Sequence, residues 1–303
     1  MIGVCGIKGT VGASTLALLT RALWPAPAVL VEADPAGGEF GLTLAGPQGQ
    51  ALPAKPSISD FALAAAHRMP SLEQVWAAAL ETRAGPVVCG LPSALPMGNL
   101  LREYGRPLAA TLVGEADVVV DAGRLAADTP SLSLLAAANV VAVVLPDRAE
   151  ALFRLTDLLP GLASVLRVAE DVRSVIVPVV VAAPHRGEAA AREVDETMAQ
   201  HHIPVRPARW FGWDPKAVDL VRAGDLARAQ RSALLRSARV VVGTVAAEQS
   251  SVIEQRTARA RLSTAQLSDA SAQWRGVGRP AAAPPAPPAP PVNGYGAGVR
   301  SHG

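Results

Sequence analysis

Eight consecutive residues, Lys8-Gly9-Thr10-Val11-Gly12-Ala13-Ser14-Thr15, hold the most specific chemistry this chain offers. They follow an apolar run (Ile2, Val4, Ile7) and precede Leu16, Leu18, Leu19, Ala22 and Leu23 at helical spacing. A turn of small residues between a strand and a helix lets backbone N–H groups converge on an anion. The helix N-terminus adds its partial positive charge. The common phosphate-loop pattern is G-x-x-x-x-G-K-[ST]. Gly6, Gly12 and Ser14 are read against it, and Ala13 stands where the lysine belongs.

Phosphoryl chemistry needs anion contacts, a hydroxyl and a carboxylate for Mg²⁺, and a group that orients water. Residues 9–15 can supply backbone donors, and the Ser14 hydroxyl matches the Mg²⁺-ligand position, with Thr15 beside it. Both hydroxyls also suit the start of a helix, a structural role that does not compete with ligation. Asp121 ends the apolar stretch Val118-Val119-Val120 and is placed to reach Mg²⁺ through water; a turn-forming aspartate is the alternative. Asp34, in Glu32-Ala33-Asp34-Pro35, follows a second apolar stretch. By its residues alone it reads as an Asp-Pro turn. By its residues alone Lys8 reads as a solvated loop lysine.

The motif KGTVGAST resembles the deviant Walker A loop of the ParA/MinD superfamily, K-G-G-x-G-K-[ST]-[ST], with Lys8 at the early lysine and Ala13 replacing the later one. Gly-Ala-[ST]-Thr at this place is similar to the CpaE/TadZ branch, found in Flp/Tad pilus assembly loci. The segment 32–35 resembles the superfamily's Asp-x-Asp-Pro, with Asp34 matching and Glu32 departing. Gly37-Gly38-Glu39-Phe40-Gly41 looks like its switch segment. The resemblance implies ATP or ADP with Mg²⁺ as ligand, Ser14 and Asp121 as its metal side, and Asp34 and Lys8 as catalytic residues. In it Lys8 reaches across a homodimer to the partner subunit's nucleotide. It further implies a secretion ATPase of a Tad-like pilus system as partner. A late-strand asparagine that reads adenine in relatives has no match in residues 181–186. Losing the P-loop lysine removes a charge-assisted contact worth about 1.5–3 kcal/mol, so at most a weak ATPase is expected.

Around these residues the chain alternates apolar runs with helical patterns. Strands are expected near residues 28–33, 86–90, 116–121, 140–145 and 175–182. Helices are expected near 58–66, 71–80, 99–112, 132–138, 149–168 (broken at Pro160-Gly161) and 188–201. Continuous apolar strands belong to a sheet covered on both faces. The fold class is therefore α/β, a doubly wound and mostly parallel sheet. Ligands of such sheets sit beyond the strand carboxyl ends, where Lys8, Asp34 and Asp121 all fall.

The 303 residues are half hydrophobic and carry a formal charge of +2, so no global field calls for nucleic acid or membrane. Cys5 and Cys89 lie in apolar runs and make no disulfide framework, which fits a reducing cytoplasm. No signal peptide and no transmembrane segment is expected; the apolar stretch 132–145 is short and interrupted by Asn139. Arg228, Arg231, Arg236 and Arg239 spread over about 140° of one helix, a solvated face more than a DNA surface. Trp210, Phe211 and Trp213 read as core or a docking patch. No Ser/His/Asp hydrolase signature is present.

The organisation expected is a P-loop domain over residues 1–247, a polar frayed helix or linker over 248–279, and a disordered Pro/Ala/Gly-rich tail over 280–303. Function is expected to be that of a CpaE/TadZ-like localisation factor, cytoplasmic and recruited to the inner membrane face or a cell pole, with ATP as a conformational ligand. An active partition or division-site ATPase, and a nucleotide-free scaffold, are the alternatives.

Overall fold

The computed structural model describes residues 1–9, 11–67, 71–113, 117–165 and 174–276. The expected tail, 280–303, lies outside them, as does Thr10. The chain opens with β1 (Ile2–Gly6), α1 (Ala13–Leu23) and β2 (Ala28–Glu32). Next come α2 (Phe40–Thr43), α3 (Ile58–His67), α4 (Leu72–Ala77), β3 (Leu80–Thr82), β4 (Gly85–Val88) and α5 (Ala94–Leu112). The second half holds β5 (Asp117–Arg124), α6 (Leu132–Ala137), β6 (Val140–Pro146), α7 (Ala149–Val165), β7 (Val175–Ala182) and α8 (Gly187–Gln200). It ends with β8 (Arg209–Gly212), α9 (Pro215–Arg222), α10 (Leu226–Ala229) and α11 (Ala233–Gly276).

Eight strands form one sheet in the order β3-β4-β2-β5-β1-β6-β7-β8. Every pairing is parallel except β3 with β4 at the edge. The expected doubly wound parallel sheet is therefore what forms. Each strand feeds two cores, because successive side chains point to opposite faces. From β1, Ile2 and Val4 enter one core while Met1, Cys5 and Ile7 enter the other. Likewise Val119 of β5 faces one way, and Val118, Val120 and Ala122 the other. Burial on both sides explains why these strands read as unbroken apolar runs.

Three local expectations change. The helix expected over 71–80 ends at Ala77, and Leu80–Thr82 pairs with β4 instead, Leu80 opposite Val87. Ser71 does cap that helix, accepting from the Glu73 N–H. Pro160 does not break α7, which continues to Val165. Leu155, Leu159 and Leu162 are buried along one stripe, and this packing outweighs one missing backbone hydrogen bond. The four arginines do not share a helix: Arg228 lies on α10, Arg231 between elements, and Arg236 and Arg239 on α11. Arg228 pairs with Asp225 and Arg236 donates to the Arg231 carbonyl.

Residues Met1–Ala258 form one compact unit and Arg259 begins another. The helix α11 runs through residue 247 and across most of the polar segment. Both cysteines are buried and free; burial pushes the Cys89 thiol up to about 12. No helix among the described residues is long and apolar enough to cross a membrane.

Candidate functional site

The site forms where β1, β5 and β2 end side by side. Parallel register sets Asp121 opposite Val4 on one side and Glu32 on the other. The chain leaves β1 at Gly6, passes Lys8 and Gly9, both exposed, and returns through buried Val11 to Gly12. Gly12 has φ 94°, a left-handed conformation that glycine adopts without strain, and it precedes α1 directly. Ala13 is the first helical residue; Ala13, Ser14 and Thr15 are half-buried there. Ser14 caps nothing: no side chain accepts at this helix start. Counted along the chain, Ile7 and not Gly6 occupies the pattern's first glycine position, and its side chain is buried in the core. The loop is thus anchored apolarly before its turn begins.

Asp121 is 1% exposed. Its Oδ1 accepts from the Gly123 N–H at 3.2 Å, while Oδ2 is buried and accepts nothing among the described residues. Its pKa is raised to about 7: burial is the main cause, Asp34 and Glu32 add to it, and the Ser14 hydroxyl and Gly123 N–H oppose it. An orphaned buried carboxylate oxygen beside a serine hydroxyl fits a water-bridged Mg²⁺, since a buried polar atom without a partner is costly. Among the described residues no cluster of three acidic, His or Cys side chains could hold a metal by protein ligands alone. Ser14 and Asp121 would therefore share the ion with a bound phosphate.

Asp34 sits one turn beyond β2, half-buried, its Oδ1 accepting from the Ala36 N–H at 2.8 Å. Gly123, at φ 66°, lets the Asp34 carboxylate pack on the end of β5, where a Cβ would overlap it. Burial raises the Asp34 pKa, with Glu39 adding to the shift. Asp34, Asp121 and Ser14 are thus brought together, and Lys8 stands across the loop.

Glu32 proves to be a structural clamp. Its Oε1 accepts from the N–H groups of Glu39 and Phe40 at 2.6 and 2.9 Å. Its Oε2 accepts from Gly90 N–H at 2.8 Å. One buried carboxylate therefore ties the segment after β2 to the end of β4.

A cavity of about 640 Å³ opens beside the loop. Its lining includes Lys8, Gly9 and Val11 of the loop, Arg148 and Arg154, and residues 181–183 with Trp213. Trp213 is 59% exposed, unlike Phe211, which is core, and Trp210, whose Nε1 donates to the Ala182 carbonyl. Sequence reasoning missed Arg148 and Arg154 and read Trp213 only as core or a docking patch; their position after strands β6 and β8 is the one signal that could have flagged them.

Three raised carboxylates give a pH dependence. Asp121 binds a proton in the folded state up to about pH 7, but unfolded only up to about 3.8. The folded state therefore holds more protons in that window, and stability falls as pH rises through it. Glu32 and Asp34 shift in the same direction. Calorimetry of the ligand-free protein should show a melting temperature lower at pH 7 than at pH 5 by about 4–8 °C. Asp121→Asn should remove most of that slope, and an unchanged slope would mean Asp121 ionises normally.

The fold is that of ParA/MinD-type P-loop NTPases. A ParA family ATPase from Chlorobium tepidum TLS matches with a TM-score of 0.61 and 17% identity, over 80% of this chain and 97% of its own. The septum site-determining protein MinD of Pyrococcus horikoshii OT3, complexed with Mg-ADP, matches at 0.56 and 14% identity, over 81% and 96%. Cobyrinic acid a,c-diamide synthase from Mycobacterium smegmatis, with bound ADP and magnesium, matches at 0.53 and 19% identity, over 80% and 93%. No family model and no curated protein matches the chain.

Proposed function

We infer that this chain binds Mg-ATP or Mg-ADP at the start of α1 and uses it as a conformational ligand more than as fuel. The observation that carries this reading is the buried Asp121 carboxyl beside the Ser14 hydroxyl, its Oδ2 without a hydrogen-bond partner among the described residues, directly behind a left-handed glycine that opens a helix. Mg-ADP in structures of the same fold supports it. Ala13 supports slow turnover, because the residue that would meet the β- and γ-phosphates has no charge. A ligand of this kind biases a protein only through its different affinity for two states.

The role proposed is that of a CpaE/TadZ-like localisation factor that dimerises and marks where a pilus or secretion machine assembles. Its partner would be the secretion ATPase of a Tad-like system, and its place the inner membrane face or a cell pole. The glycine-alanine-serine-threonine turn is its support. Calorimetry with Mg-ATP followed by turnover assays tests the reading. Binding with negligible turnover supports it. Turnover stimulated by DNA or membrane would favour a partition or division-site ATPase, and absence of binding would leave a scaffold.

Lys8 is exposed and lines the cavity wall, which suits a contact with a second subunit's nucleotide. Lys8→Ala should lower the dimer fraction seen by sedimentation with Mg-ATP, and equal fractions for variant and parent would remove that role.

A further inference from the structure

The cavity lining carries more positive charge, on Lys8, Arg148, Arg154 and Arg186, than Asp147 and Glu150 balance. Arg186 is accounted for: it pairs with Asp147 at 3.2 Å and with Glu193 at 3.0 Å. Among the described residues, neither the Arg148 nor the Arg154 guanidinium makes an ion pair or hydrogen bond. Both open onto the same space as Lys8, with only Glu150 as an acidic lining residue besides the paired Asp147. Arg148 directly precedes α7. There the helix presents its own partial positive charge, which disfavours a cation unless an anion is bound. The N-termini of α1, α7 and α8 all follow strands β1, β6 and β7 at this edge, so their dipoles add to the same positive region.

The cavity is lined by Lys8, Gly9 and Val11 of the loop and not by Ala13, which leaves the start of α1 without a cation of its own. We propose that Arg148 and Arg154 take over from the absent lysine and grip the β- and γ-phosphates of a nucleoside triphosphate seated in this cavity. Guanidinium forks suit phosphate oxygens, donating two parallel N–H bonds to one group. Trp213, exposed on the same cavity, offers an apolar plane for the base. The assignment rests on the nucleotide reading, but it places the compensating charge on α7 and its approach instead of in the loop.

The test uses the full chain and isothermal calorimetry with Mg-ATP and with AMP. The parent should bind Mg-ATP, and Arg148→Ala with Arg154→Ala should weaken it about 10- to 100-fold. AMP, which lacks the outer phosphates, should change by less than about threefold. Adding Ala13→Lys to the double variant should restore most of the lost triphosphate affinity. A purely structural role for the arginines would not allow that rescue, and both residues are exposed, so the fold should survive their removal. A double variant within twofold of the parent for Mg-ATP, or one that weakens AMP equally and is not rescued, overturns the assignment while nucleotide binding stands. A parent that binds no nucleotide overturns both.

Discussion

Glu32→Ala is expected to lower the melting temperature by about 6–12 °C, an effect of roughly 3 kcal/mol at 2–4 °C per kcal/mol. The Glu32 carboxylate is 3% exposed and accepts from three backbone N–H groups, those of Glu39, Phe40 and Gly90. Alanine leaves all three donors without their acceptor. Each buried unsatisfied donor costs about 1–3 kcal/mol. Part of that is offset, because burial already pushes the Glu32 pKa up, a sign that the charge is held at some cost. Glu32→Gln should fall between the two, since one amide oxygen can keep the Glu39 and Phe40 bonds while its NH₂ meets the Gly90 donor. Calorimetry at pH 7 reads the effect. Melting temperatures for Glu32→Ala within 2 °C of the parent would show that the segment after β2 holds its shape without the clamp. The functional consequence is direct. Glu32 fixes the chain that carries Asp34 and Glu39, so a loosened clamp should also weaken any response of that segment to nucleotide.

Ala13→Lys should tighten Mg-ATP binding by about tenfold or more, because a hydrogen bond to a charged group contributes about 1.5–3 kcal/mol and each 1.4 kcal/mol is one decade. Position 13 is the first residue of α1 and is only half-buried. The gain is expected at the low end of that range in the parent and at the high end when Arg148 and Arg154 are absent. Calorimetry measures it, and turnover should rise alongside, since the same ammonium meets charge that develops on the transferred phosphoryl oxygens. No change in affinity would place the phosphates away from the start of α1.

Much of this protein could be read before its fold was known. The continuous apolar runs at 28–33, 140–145 and 175–182 announce buried parallel strands, because a strand covered on both faces cannot afford polar residues on either. Strand, glycine turn and helix at residues 2–23 have the local geometry of a phosphate cradle for the same reason: backbone conformation there depends on near neighbours. Asp34 was legible as a carboxylate just past a strand; Asp121, expected to end its strand, lies inside β5, which continues to Arg124 because it pairs with Gly6 of β1. Where non-local packing decided, the sequence was a poor guide. Pro160 stays helical because Leu155, Leu159 and Leu162 are buried where α7 packs beside β6 and α8. Leu80 becomes an edge strand because Val87 lies opposite it.

What residue order determined, then, is the class of sheet and the loop that ends its first strand, since both follow from periodicity and from glycine's backbone freedom. Tertiary structure alone decided that Glu32 clamps two loops, that one oxygen of Asp121 is left without a partner beside Ser14, and that Arg148, Arg154 and Trp213 share a cavity with Lys8. Those arrangements join residues up to about 200 positions apart, and only the parallel register of the sheet brings their strand ends together.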